Sequence, residues 1–225
     1  MGKSRVVYYS DESFEDRKEA GRLLATALEG FRGKDTVVLG IPRGGMVVAG
    51  EIAGALNSEL DIALSRKLGA PGNPELAIGS IGEDGKLFLN EDLAFRAGAD
   101  KAYIEAEKAR QLAEIKNRVQ LFRQFKAKVV LKGKTVIVTD DGVATGATMR
   151  AALWASRREN PKKLIAAVPV GAGESVRLLA DYADEVIVLR LPRYLQAIGQ
   201  FYRHFDQASD QEVMSILKEA RGYEL

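Results

Sequence analysis

The run Val136-Ile137-Val138-Thr139-Asp140-Asp141-Gly142-Val143-Ala144-Thr145-Gly146-Ala147-Thr148-Met149 constrains this chain more than any other segment. An apolar strand over residues 135–140 ends in two adjacent carboxylates. It then passes through a loop with two glycines into a helix over 148–158. Loops at the C-terminal ends of parallel strands are where open α/β sheets bind ligands. A helix start offers free N–H groups and a positive dipole end to an anion. Gly142 and Gly146 allow backbone to approach a phosphate closely, and Thr145 and Thr148 add hydroxyl donors. A carboxylate beside a phosphate would repel it, so Asp140 and Asp141 make sense at the other end of a sugar phosphate, accepting hydrogen bonds from two hydroxyls. An ordinary polar-capped βα turn explains one acid and one glycine. It does not explain two acids, two glycines and two threonines in nine residues. A P-loop requires lysine where Ala147 stands.

The rest of the chain supplies a scaffold for such a loop. Apolar strands at 164–170 and 185–191 alternate with helices at 148–158 and 174–182, the pattern of a parallel sheet covered on both faces. Upstream, 12–30 reads as an amphipathic helix that Ser13 could cap. A strand at 36–41 is interrupted by Pro42-Arg43-Gly44-Gly45, and helix 46–56 follows. A second strand is read at 60–64, with shorter ones at 78–81 and 87–89, and Gly69-Ala70-Pro71-Gly72-Asn73-Pro74 has the composition of a mobile loop. Residues 101–125 form a long helix, about 37 Å at 1.5 Å per residue, with Ala109, Leu112, Ile115, Val119 and Phe122 on one face and a Glu114–Arg118 surface pair. The expected fold class is α/β: one domain over 1–225, a helical insertion at 94–128 and a C-terminal hood or tail at 192–225.

Composition narrows the chemistry. The 225 residues carry no cysteine and a single histidine, His204. Thiolate nucleophiles and zinc–thiolate sites are thereby excluded, and a histidine-built metal centre is disfavoured. Net charge is +2, which argues against a dedicated nucleic-acid binder. No apolar run reaches the roughly 20 residues that span a bilayer, and Asp11 and Glu12 interrupt any signal-peptide pattern. The cytoplasm is the expected location.

Residues 136–149 resemble the PRPP-binding motif of type I phosphoribosyltransferases, where PRPP is phosphoribosyl pyrophosphate, and the resemblance extends over most of the chain. It implies a parallel sheet with flanking helices, PRPP with Mg²⁺, and transfer of ribose 5-phosphate to a nucleophile, usually a base nitrogen. By the same resemblance, Asp140 and Asp141 hold the ribose hydroxyls and meet the metal only through PRPP. Gly142, Val143, Ala144, Thr145, Gly146, Ala147 and Thr148 surround the 5′-phosphate. Arg43, Gly44 and Gly45 are similar to the family's pyrophosphate loop. Arg66 and Lys67, followed by the Gly/Pro loop and Glu75, are similar to its basic strand end and flexible loop, and these three are the catalytic candidates.

The acceptor is constrained by two departures. Enzymes for 6-oxopurines carry an aspartate where Ala144 stands and a lysine where Val168 precedes Pro169. The Ala-Thr-Gly form and the Arg66-Lys67 pair are closer to adenine enzymes, in which a flexible-loop glutamate, here Glu75, serves as proton donor or acceptor. The segment 193–205 sits where the family puts a hood over the acceptor. Its aromatics either sandwich a planar base or dock on the core, and His204 is read as an orienting or surface residue. The chain resembles bacterial and archaeal phosphoribosyltransferases of unassigned acceptor. The expected activity is transfer from PRPP to a nitrogenous base or related small acceptor. The alternatives are a non-catalytic PRPP or nucleotide sensor and another sugar-phosphate enzyme. A homodimer is a further expectation, and the 101–125 helix is read as a lid, an oligomer contact or scaffold.

Overall fold

The computed structural model describes residues 3–8, 10–33 and 35–221. Its strands are β1 (Lys3–Tyr8), β2 (Thr36–Gly40), β3 (Glu59–Ile62), β4 (Ser65–Ala70), β5 (Asn73–Gly82), β6 (Leu87–Leu89), β7 (Thr135–Thr139), β8 (Lys163–Val170) and β9 (Glu185–Arg190). Its helices are α1 (Arg17–Ala27), α2 (Gly44–Leu56), α3 (Glu91–Arg96), α4 (Lys101–Arg123), α5 (Ala147–Arg157), α6 (Gly173–Leu179) and α7 (Asp210–Arg221). Six strands pair in parallel in the order β1-β9-β8-β7-β2-β3.

Successive strand residues point to opposite faces, and here both faces are dry. Val136 and Val138 enter a core with Met149 and Leu153 of α5 and Val176 and Leu179 of α6. Ile137, between them, enters the opposite core with Leu24 of α1, Ile52 of α2 and Leu217 of α7. Burial on both sides is why the strands read as unbroken apolar runs rather than alternating ones. The fold is the α/β parallel sheet with helices on both faces that the sequence indicated. No helix among the described residues is long and apolar enough to cross a membrane.

A second, antiparallel sheet, β4-β5-β6, follows β3. Leu68, Ala70, Ile78 and Ile81 build a third core with Ala94 of α3 and Ile115 of α4. The helices of 94–128 thus pack on a sheet of their own. The expected mobile loop at 69–74 is corrected here: all but the Pro71-Gly72 turn is strand. A Cβ on Gly69 would lie 2.8 Å from Pro74 Cα, so this glycine serves close backbone packing and not a hinge.

Other boundaries shift for local reasons. The first helix starts at Arg17, not near residue 12, because Asp16 and not Ser13 accepts the Glu19 N–H at 2.8 Å; Ser13 instead donates to the Gln200 carbonyl. The second strand ends at Ile62, and Ser65 already belongs to β4. On α4, Ile115 and Phe122 are buried, Ala109 is exposed, and Glu114 pairs with Arg66. Edge strand β1 and helix α7 had no expected counterpart.

Candidate active site

The loop after β7 is tied down along one side. Val143 N–H donates to the Val170 carbonyl at 2.9 Å, and Ala172 N–H donates to the Val143 carbonyl at 2.8 Å. The Ser175 hydroxyl donates to the Ala144 carbonyl. The other side stays open, with Ala144, Thr145 and Thr148 exposed. Gly146 adopts φ +74° at the N-cap of α5, and no side chain of its own caps the helix. The Ala147 N–H donates to Thr145 Oγ1 at 3.4 Å, and the start of α5 is flanked by the exposed Thr145 and Thr148. Such a helix start favours an anion.

A second helix start approaches the same acids. The Pro42–Arg43 peptide bond is cis, and α2 begins at Gly44 without a side-chain cap. A Cβ on Gly44 would lie 2.0 Å from Asp141 Oδ2; one on Gly45 would lie 2.8 Å from Asp140 Cα and 2.9 Å from Asp140 Oδ1. Residues distant in sequence are thus in contact, and both glycines are needed for that contact. The Arg43 side chain reaches the C-terminal part of the chain. It donates to the Ala208 carbonyl at 3.4 Å and lies 3.9 Å from Asp210 at the start of α7.

The acid pair is electrostatically loaded. Burial and the neighbouring Asp141 charge push the Asp140 carboxyl well above the ordinary aspartate range, against the Asp141 N–H, which donates to Asp140 Oδ1 at 2.9 Å. A carboxyl whose folded value is raised destabilises the fold as pH climbs from the unfolded value through the folded one. Asp140→Asn is therefore expected to raise the melting temperature of the unliganded protein at neutral pH by ~2–4 °C, or about 1 kcal/mol for a chain of this size. The gain should fade toward about pH 4, where the unfolded carboxyl also protonates. Melting curves across that range check it, and a variant less stable than wild type at neutral pH would contradict it.

Asp141 is held from two directions. Arg17 Nε donates to its Oδ2 at 2.8 Å, and the Tyr202 hydroxyl donates to its carbonyl at 2.6 Å. Burial first, then the Asp141 charge, raises the Tyr202 hydroxyl well above the usual tyrosine range, so it remains a donor. Ile198, in the 3₁₀ turn Ile198–Phe201, covers the loop from above: a Cβ on Gly142 would lie 2.7 Å from it. Between the two readings of the 193–205 aromatics, Phe201 and Tyr202 dock on the core, while Tyr194 is 86% exposed. His204 is exposed, its Nε2 3.2 Å from Glu15.

The catalytic candidates lie on the small sheet, which packs against α5. Arg66 forms an ion pair with Glu114 of α4, and its Nε is buried without a partner. Burial, then Arg118 and Arg110, lowers its proton affinity. Lys67 follows it on β4 and by strand alternation takes the opposite face, so the two cations do not share one surface. Glu75 is on β5; its side chain lies outside the described residues. Among the described residues the acid pair's ion-pair partner is Arg17, which was not anticipated. A signal was present: Arg17 stands three and four residues before the buried Ala20 and Gly21, and a charge on the apolar face of a helix needs a partner.

Comparison with known proteins is consistent with this geometry. A phosphoribosyl transferase domain model matches residues 12–195. A Mycobacterium tuberculosis protein, present in strains CDC 1551 and H37Rv and named as a candidate phosphoribosyl transferase, is 45% identical over 207 residues, which is 92% of this chain. The chain spans about half of that relative, 47% of its length. The crystal structure of a Thermus thermophilus protein superposes with a TM-score of 0.87 at 46% identity, covering 92% of this chain and 98% of that one.

Proposed function

Because the chain belongs to the phosphoribosyl transferase domain family, we propose that it binds PRPP across residues 140–148 and transfers ribose 5-phosphate to a nitrogenous base or related small acceptor, releasing pyrophosphate. The observation that carries this reading is the acid pair lying between two uncapped helix starts. A ribose presents two neighbouring hydroxyls, a 5′-phosphate on one side and pyrophosphate at C1 on the other. Asp140 and Asp141 would accept the hydroxyls, residues 143–148 the 5′-phosphate, and Gly44 and Gly45 the pyrophosphate.

In the transfer, the C1–O bond to pyrophosphate breaks and a C1–N bond forms. Pyrophosphate leaves with the bonding pair, and the acceptor nitrogen loses its proton. The chain's own contribution is orientation and charge complementarity. Lys67 would offset the leaving group's charge from the small sheet, Arg66 being held by Glu114 on the other face, and Glu75 would take the acceptor proton. No group of three His, Asp or Glu able to hold a metal occurs among the described residues. An Mg²⁺ would be carried in on the PRPP oxygens, meeting Asp140 and Asp141 only through PRPP, and would neutralise pyrophosphate charge. Ala144 and Val168 direct the search for the acceptor away from 6-oxopurines.

The test is pyrophosphate release from PRPP and Mg²⁺ with a panel of purine and pyrimidine bases. Release with one of them, lost in Asp141→Asn, is expected. Tight PRPP binding without release for any acceptor would favour a sensor on the same fold, and absence of PRPP binding would refute the reading.

A further inference from the structure

Arg17 is ill placed for helix stability alone. It is the first residue of α1, where a cation opposes the helix dipole. Its guanidinium is nevertheless fixed on three sides. Nε donates to Asp141 Oδ2 at 2.8 Å, Nη1 donates to the Asp206 carbonyl at 2.7 Å, and the plane lies 3.8 Å from the centroid of the Phe205 ring. Phe205 stacks in turn on Tyr202 at 5.0 Å, and Tyr202 holds the Asp141 carbonyl. A Cβ on Gly44 would come within 2.8 Å of Arg17 Nε, so the pyrophosphate-side loop closes the remaining approach. Only 11% of the Arg17 side chain is exposed. A planar fork that donates in two directions while stacking on a ring is a use that lysine does not reproduce.

We propose that Arg17 is a positioning residue for the PRPP site: it fixes Oδ2 of Asp141 so that Oδ1 is presented to a ribose hydroxyl, and it makes the C-terminal segment 202–206 part of that site. The proposal rests on the reading of the acid pair as a ribose site. The Arg17 guanidinium is engaged by Asp141, Asp206 and Phe205, so its effect is expected chiefly on ligands that carry the ribose.

The experiment compares wild type, Arg17→Met, Arg17→Lys, Asp141→Asn and the Arg17→Met/Asp141→Asn double variant by calorimetry, with PRPP and separately with inorganic pyrophosphate, both with Mg²⁺. Melting curves without ligand run alongside. Arg17→Met should weaken PRPP binding by roughly 10–100-fold, in line with loss of a buried, charged hydrogen bond, and change pyrophosphate affinity less than about twofold. Arg17→Lys should recover part of the loss. In the double variant the Arg17 change should add little to Asp141→Asn, because coupled residues are not additive.

Wild-type PRPP affinity in Arg17→Met, with Asp141→Asn impaired, overturns the proposal and leaves the ribose reading standing. Unimpaired Asp141→Asn overturns the ribose reading itself. Equal loss for PRPP and pyrophosphate shows a general structural effect and also overturns the positioning role. If Arg17→Met does not fold, Arg17→Lys decides: a PRPP-selective loss supports the proposal, and wild-type affinity for PRPP refutes it.

Discussion

Gly45→Ala is expected to weaken PRPP binding by roughly 100-fold, the scale on which displacing a binding group by about 1 Å is felt. The added methyl would meet Asp140 Cα at 2.8 Å and the Thr139 carbonyl at 3.0 Å. Both are backbone atoms at the end of a central strand and cannot swing aside. Something must shift, and both candidates, the acid pair and the start of α2, belong to the proposed site. Gly44→Ala should act differently, because its methyl meets the tip of the Asp141 side chain and Arg17 Nε. There the substitution would break an ion pair rather than displace a strand. Gly54→Ala, in the same helix, is the control: nothing lies within 4 Å of that position. Replacing this helical glycine should stabilise the fold by up to about 0.5–1 kcal/mol and leave PRPP binding alone. Calorimetry on the three variants separates these outcomes. Normal PRPP affinity in Gly45→Ala would mean that the glycine turn is not a wall of the ligand site.

The contrast between these glycines shows what can be read from residues alone. The loop from Asp140 to Thr148 was legible because everything it needs is local: a strand end, two glycines, two hydroxyls and a helix start within one short run. The parallel sheet was legible for a related reason, since burial on both faces leaves strands uniformly apolar. What was misread depends on partners distant in sequence. Gly69 to Pro74 has the composition of a loop, yet its glycine permits two strands to close on each other. Edge strand β1 puts Lys3, Ser4 and Arg5 before Val6, Val7 and Tyr8, no unbroken apolar run, and it is held by register with Glu185–Arg190. The contacts of the Arg43 side chain with Ala208 and Asp210 were not legible either, because they too span most of the chain. Arg17 is 124 residues from the carboxylate it holds. No periodicity reports that distance; only the charge on the buried face of α1 hints at it.

The second large effect concerns stability and the long helix. Arg123, the last residue of α4, donates from Nη1 to Asp61 Oδ1 at 2.6 Å, and from Nε and Nη2 to Glu83 at 2.7 and 3.1 Å. Asp61 is 1% exposed on β3 and also accepts the Val129 N–H at 2.9 Å. One guanidinium therefore joins the central sheet, the small sheet and the chain that leads into β7. Removing it leaves the buried Asp61 and the half-buried Glu83 without their guanidinium, while Lys128 stays 3.5 Å from Glu83. Breaking such a buried pair from one side costs about 3–5 kcal/mol. Arg123→Met should therefore lower the melting temperature by ~6–20 °C, at about 2–4 °C per kcal/mol for a chain of this length. Asp61→Asn should cost less, since an amide still accepts one of the hydrogen bonds. The double variant should be more stable than the two losses summed, because each single change already breaks the same contact. PRPP affinity measured well below the transition should stay near wild type, because none of the residues from Asp140 to Thr148 contacts Arg123 through a hydrogen bond or ion pair. A large drop in melting temperature with binding intact would assign α4 to the scaffold. A drop in affinity at preserved stability would instead couple α4 to the small-sheet residues proposed for the site.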